Sequence, residues 1–349
     1  MRRDGVSLLA VLSAAVVAHA LFTNLFLQPS TSKLQKTAAS SVEPGSKHGE
    51  AAAPTPTHVA LRGNAEPPTI KSNAKQLDIG FCIDTTGSMS GEIEAVKNNV
   101  ADMVEALKSK HPNASVRVGL VAYRDKGDDY VTKIFPLSSN ISEVRQQIRD
   151  LSADGGGDGP EAVDCGIHEA LHSLHWNPDK KTPKVLFLIG DAPPHEDRHD
   201  YDVQTELAWA NDNNIRISTI ACNGLETYGV DGVPLFKKIA TMTNGNFQML
   251  AYHQEIADAS GHMHTIVTSG GVAYAVKAEA KDKWKTESAE TLVASGLAAP
   301  ALQGATNGSI GPQGIDGTVI SGVNTAGTVR SDNNLGSLVL DRVSDVFSK

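Results

Sequence analysis

Leu77-Asp78-Ile79-Gly80-Phe81-Cys82-Ile83 runs directly into Asp84-Thr85-Thr86-Gly87-Ser88-Met89-Ser90, and the reading of this junction sets the fold class. The first seven residues alternate and then turn apolar, the pattern of a buried strand. Beyond the junction Ile93, Val96, Val100, Met103, Val104 and Leu107 recur at the spacing of one helical face. Asp84, Thr86 and Ser88 therefore fall in a strand-to-helix turn. At the carboxyl edge of an α/β sheet such a turn gathers a carboxylate, two hydroxyls and the free N–H groups of a helix N-terminus. Oxygen clusters of this kind suit hard divalent cations.

Two later segments repeat the arrangement. Val185-Leu186-Phe187-Leu188-Ile189-Gly190 is a second apolar strand, ended by Asp191 as Asp84 ends the first. Between them lies the glycine-rich loop Asp154-Gly155-Gly156-Gly157-Asp158-Gly159-Pro160-Glu161, with Pro160 where the first turn of a helix tolerates it and Glu161 beside that helix's positive end. Three loops thus each offer a carboxylate. Asp-x-Thr-x-Ser, a glycine-rich middle loop and a strand-terminal Asp, in that order, resemble the metal-ion-dependent adhesion site of von Willebrand factor A domains. On its own Asp-x-Thr-x-Ser more often caps a helix than binds a metal; the ordered set is far more specific.

The resemblance implies Asp84, Thr86 and Ser88 as the first ligand group, Asp158 from the middle loop and Asp191 from the third. Asp154 and Ser90 stand behind them as further oxygen sources. It also implies Mg2+ as the usual ion, with Mn2+ or Ca2+ as substitutes, and a protein partner that supplies an oxygen to the metal. The middle loop commonly gives a threonine, whereas this chain has Asp158, as in relatives with a Gly-Gly-Gly-Asp-x-Pro-Glu loop. Three carboxylates around one divalent ion leave the site net negative, so the expectation is tighter metal retention and weaker preference for an acidic ligand.

His168-Glu169-Ala170-Leu171-His172 offers a competing chemistry, because His-Glu-x-x-His on a helix is the zinc-protease spacing with Glu as general base. Val163, Ile167, Ala170, Leu171 and Leu174 share a stripe that reads as core. His168, His172 and His175 then lie on the opposite face, as an alternative surface metal site. Pro178 stands where a longer zinc-protease motif would place a third histidine. Other catalytic patterns fail. Thr86 replaces the second Asp of an Asp-x-Asp phosphatase motif, the spacing around Ser88 misses Gly-x-Ser-x-Gly, and the chain has no phosphate-binding Gly-Lys-Ser/Thr loop. The expected function is therefore non-enzymatic: metal-dependent protein binding, with a zinc hydrolase or a purely structural ion as the alternatives.

The remaining pattern predicts an open, doubly wound, mostly parallel α/β sheet flanked by helices. Ser115–Tyr123, Tyr130–Phe135, Ile215–Ala221 and Gly245–Leu250 read as further strands, and Asn140 with Glu143 as a capping box. With the order 3-2-1-4-5-6, Asp84 and Asp191 flank the topological switch point. Residues 76–268 are expected as one A-type domain. Cys82, Cys165 and Cys222 form no disulfide framework and read as buried thiols.

Arg2 and Arg3 precede a run from Val6 to Leu27 without Asp, Glu, Lys or Arg, so residues 1–27 read as a signal peptide or an uncleaved membrane anchor. Either one places the rest outside the cytoplasm. Residues 28–75 are rich in Pro, Ser, Thr and Ala and hold no Trp, Tyr or Phe, the composition of a flexible linker or stalk. Residues 269–349 read as a Gly-, Ala- and Thr-rich low-complexity tail. Leu335, Leu338, Val339, Val346 and Phe347 are spaced for a short terminal helix. A net charge of −9, with no basic patch and interleaved aromatics, argues against nucleic-acid binding.

Overall fold

The computed structural model describes residues 59–60, 75–110, 112–257, 261–301 and 332–348. The main sheet has seven strands: β1 (Val59–Ala60), β2 (Lys75–Asp84), β3 (Ala114–Tyr123), β4 (Thr132–Ser138), β5 (Lys184–Gly190), β6 (Ile215–Ala221) and β7 (Phe247–Met249), in the order β1-β4-β3-β2-β5-β6-β7. Every neighbouring pair is parallel except β3–β4. The six strands expected from sequence therefore keep their 3-2-1-4-5-6 order. β1 is an addition, since Val59 and Ala60 pair with Lys133 and Ile134 inside a stretch whose composition reads as linker.

Strand alternation sends side chains to two helical layers. From β2, Leu77, Ile79, Phe81 and Ile83 pack with Ile93, Val96, Met103 and Leu107 of α1 (Ser90–Lys110) and with Val144 and Ile148 of α2 (Ile141–Arg149). On the other face Cys82, Val121, Leu186 and Leu188 meet Val163, Ile167 and Leu171 of α3 (Val163–His172), Leu207 of α4 (Val203–Asp212), and Phe236 and Ile239 of α5 (Val233–Met242). Phe81 and Phe187 face each other across β2 and β5 with ring centroids 5.5 Å apart. The stripe on α3 is core, as its spacing predicts. All three cysteines are free and buried.

One strand differs from its expectation. The third strand occupies Thr132–Ser138 rather than 130–135, and its pairing with β3 shifts between Val118 and Leu120. Pro136 lies in this strand and brings no N–H to the ladder, so a local irregularity absorbs it. A second, antiparallel sheet runs from within the stretch expected as one A-type domain into the residues beyond 268: β8 (Ala251–Ala257), β9 (Met263–Ser269), β10 (Val272–Val276) and β11 (Ala298–Pro300). Gly270 and Gly271, at φ of 56° and 73°, form the two-residue turn between the paired Ser269 and Val272. Positive φ at both central residues is the hairpin geometry that glycine adopts without strain. Trp284, Val267, Val276, Leu292 and Ala298 form a small core on this sheet, with Leu292 from α6 (Ala289–Ala294).

The terminal helix forms as α7 (Leu335–Ser348). Asn334 anchors it, accepting from the Ala251 N–H at 2.9 Å and donating to the Trp284 carbonyl at 3.3 Å. Leu335, Leu338, Val339 and Val343 then enter the same core as α1. Among the described residues no helix is long and apolar enough to cross a membrane. The Val6–Leu27 run, most of 28–75 and residues 302–331 lie outside the described residues.

Candidate metal centre

β2 and β5 are neighbours, so Asp84 at the end of one and Asp191 just past the other meet at the carboxyl edge of the sheet. Thr85 fixes the turn: its N–H and its hydroxyl both donate to the Tyr123 carbonyl at 2.8 Å, tying it to the end of β3. The chain then reverses so that the Thr86 N–H (2.9 Å) and Oγ1 (2.7 Å) both donate to Asp84 Oδ1. Thr86 Oγ1 and Ser88 Oγ are 3.2 Å apart, and Ser88 Oγ donates to Asp191 Oδ1 at 3.1 Å. Asp84, Thr86, Ser88 and Asp191 thus form one continuous network of oxygens. Asp84 is fully buried, and its Oδ2 has no hydrogen-bond partner among the described residues.

The middle loop folds over this network because its glycines permit it. Gly155 and Gly156 have φ of 75° and 73°. A Cβ on Gly155 would lie 2.4 Å from the Asp128 carboxylate, and one on Gly156 2.8 Å from Glu161 Oε1. The Gly155 carbonyl accepts from the Gly87 N–H at 3.1 Å, and the Gly156 N–H donates to Asp128 Oδ2 at 2.9 Å. Buried Arg124 ties the loops together underneath, donating to the carbonyls of Thr85 at 3.2 Å and Ser152 at 2.9 Å. Above lies a cleft of about 410 Å³ lined by Thr86, Ser88, Asp158, Glu161, Asp191 and Asn223, among others.

The electrostatics of the cleft are strongly negative. Burial, and then the charge of Asp191, push the Asp84 carboxyl up to about 7 despite the donors on Thr86. Glu161 is pushed up to about 9 by burial and by the charges of Asp84, Asp125, Asp128 and Asp191, and its Oε2 also lacks a hydrogen-bond partner among the described residues. Tyr228 is raised by burial and by Asp191, Glu161 and Asp84. Like-charged carboxylates held together with unsatisfied buried oxygens are costly unless a cation compensates them. The donor set is all oxygen, two carboxylates and two hydroxyls with room for water above, and this fits Mg2+ or a similar hard ion.

Not every residue singled out in the sequence joins the network. Asp158 lines the cleft, but its carboxylate pairs with the Arg198 guanidinium on the surface, beside the His195–Asp125 hydrogen bond of 2.7 Å. Desolvation opposes its ionisation, but the Arg198 charge, hydrogen bonds with Asp125 and Arg198 and the charge of His195 together outweigh it and hold the carboxyl below its ordinary range. Asp158 thus reaches the cleft already paired with a cationic side chain. Asp154 turns onto its own loop, accepting from the Gly155 N–H at 2.9 Å, and Ser90 heads α1 on its exposed side. His168 and His172 line no part of the cleft and bond to Glu206 instead. His175 lies beyond the end of α3 at φ 59°, so the three histidines do not share a helical face.

The sequence reading missed Glu161 as a cleft residue, and with it Asn223 and Tyr228. Glu161 was legible only as a helix-end residue. Its approach to Asp84 depends on the N–H of Glu161 bonding the Pro193 carbonyl at 2.9 Å, a contact between two distant loops. Asn223 follows β6, which lies beside β5, so its loop reaches the same edge. Tyr228 Oη donates to the Gly159 carbonyl at 2.9 Å and closes the rim.

The profile of the von Willebrand factor A domain matches residues 78–268. The chain is similar to the alpha-protein kinase vwkA of Dictyostelium discoideum, 34% identical over 122 residues, which are 34% of this chain and 19% of that protein. It is also similar to human von Willebrand factor A domain-containing protein 7, 33% identical over 118 residues, 34% of this chain and 12% of that protein. The matched stretch thus spans less than a fifth of the length of either relative. Among solved structures, BatB of Bacteroides thetaiotaomicron aligns with a TM-score of 0.37 at 15% identity, over 50% of this chain and 89% of that one.

Proposed function

This chain belongs to the von Willebrand factor A domain family, a family of protein-interaction modules, and we propose that it binds its partner through a divalent cation held by Asp84, Thr86, Ser88 and Asp191. The observation that carries this reading is the buried Asp84 Oδ2, without a hydrogen-bond partner among the described residues and beside the Asp191 carboxylate. When bound, Mg2+ supplies a Lewis-acidic position open to an oxygen of the partner protein. The residues of the chain hold and orient it. Thr86 fixes the rotamer of Asp84 through two bonds to Oδ1, and Ser88 links that half of the site to Asp191. Asp158 joins the ligand set only by leaving Arg198. The same reading includes export, supported by Arg2, Arg3 and the uncharged run from Val6 to Leu27.

Isothermal titration of Mg2+ and Mn2+ into the full chain, beside Asp84→Ala, tests the proposal. One site per chain, abolished by Asp84→Ala while the circular dichroism spectrum is retained, is the expected result. Absence of binding in the wild type, or binding untouched by Asp84→Ala, overturns it.

A further inference from the structure

We propose a second, chemically distinct metal site between α3 and α4, in which His168, His172 and Glu206 bind Zn2+. His168 and His172 are four residues apart on α3 and so project from one face. Glu206, in the first turn of α4, is buried and faces both. Its two oxygens are divided between the imidazoles: Oε1 lies 2.9 Å from His168 Nδ1 and Oε2 lies 2.8 Å from His172 Nε2. All three ligand atoms lie within 4.8 Å of one another. Two ligands on one tetrahedral zinc, with bonds of about 2.0–2.1 Å, stand about 3.3 Å apart. Seating the ion thus needs the imidazoles to move back from Glu206 by about half an ångström, and their partial exposure allows this.

The rings are already braced for this role. The His168 ring stacks on Tyr201 with centroids 3.6 Å apart and planes 8° from parallel, and His172 leans on Trp209 at 4.3 Å. The imidazole rings themselves are 4.5 Å apart. Two imidazoles and one carboxylate favour a borderline ion such as Zn2+ over Mg2+, the reverse of the all-oxygen set at Asp84. Each ring nitrogen facing Glu206 binds as a lone-pair donor, its proton carried by the other nitrogen of the ring. The exposed side of the cluster leaves the fourth position to water. The comparable group of Asp125, Asp158 and His195 already holds the Arg198 guanidinium, 3.1 Å from His195 Nδ1, as its cation.

The test is titration of ZnCl2 into the full untagged chain with Mg2+ in excess, in the wild type and in Asp84→Ala, His172→Ala and Glu206→Gln. Co2+, whose visible spectrum reports tetrahedral nitrogen and oxygen ligation, serves as a second probe. One Zn2+ per chain that survives Asp84→Ala and is lost in both His172→Ala and Glu206→Gln is the expected result, with the Co2+ band following the same pattern. Zn2+ binding unchanged in His172→Ala and Glu206→Gln, or lost with Asp84→Ala alone, overturns the assignment. His172 is partly exposed and Glu206→Gln keeps the side-chain shape, so metal-free thermal melts of these two variants separate loss of ligation from loss of fold. Failure at the Asp84 site leaves this result untouched, and the reverse also holds.

Discussion

A single buried carboxylate organises the cleft. Asp84 places one oxygen on Thr86 and leaves the other without a hydrogen-bond partner among the described residues, next to Asp191, in a setting that raises its proton affinity. The glycine-rich loop brings Asp158 to the rim, where Arg198 takes its charge. This ion pair makes a prediction at the same scale. Arg198→Ala should raise Mg2+ affinity by roughly two- to fivefold, an effect of the size seen for exposed charge pairs. If Asp158 is the residue released, the gain should largely vanish in an Asp158→Asn background, read by titration calorimetry as a double-mutant cycle. An equal gain in both backgrounds would assign it to long-range charge alone.

At the scale of elements, α7 and the second sheet were the least legible parts of the chain. α7 carries an apolar stripe that sequence spacing picks out, but only the fold shows the stripe buried beside α1 in the main core. Leu335 is 2% exposed, so Leu335→Ala should cost about 2–4 kcal/mol in urea unfolding, the range for a leucine deleted from a packed core. A change below about 0.5 kcal/mol would mean that α7 rests on the surface. The hairpin at Gly270-Gly271 lies in a segment whose Gly, Ala and Thr content suggests low complexity. Ala251, Ala280 and Ala298 supply part of its core beside Trp284, Val267, Val276 and Leu292, and the small side chains give little hydropathic contrast along the strands. Periodicity is therefore weak where the packing is real.

For the whole molecule, metal binding and folding should be coupled, because the oxygens of the site come from loops after β2 and β5 that the unfolded chain does not hold together. Mg2+ at a hundred times its dissociation constant should stabilise the folded state by about 2.7 kcal/mol, and a chelator should remove the increment. Thermal melts with Mg2+ and with chelator check this. Asp84→Ala should melt at the same temperature in both, and a Mg2+ increment that persists in that variant would place the ion elsewhere.

The sequence by itself determined six of the seven strands of the main sheet, the helices that flank it and the Asp84-Thr86-Ser88 turn with Asp191; the strand order was assumed as that of a doubly wound sheet, and β1 was not legible. The strands, helices and turn follow from short-range signals: apolar strands, helical spacing, and polar residues where strands end. Tertiary structure alone decided the charge state of the middle loop, the membership of Glu161 and Asn223 in the cleft, and the partner of the histidine pair. Asp158 meets Arg198 forty residues on, Glu161 approaches Asp84 through the Pro193 contact, and His168 and His172 meet Glu206 from the next helix. Each of these depends on where two loops or helices come to rest against one sheet. No local pattern encodes that placement, because the free energy that fixes it is spread over the core beneath.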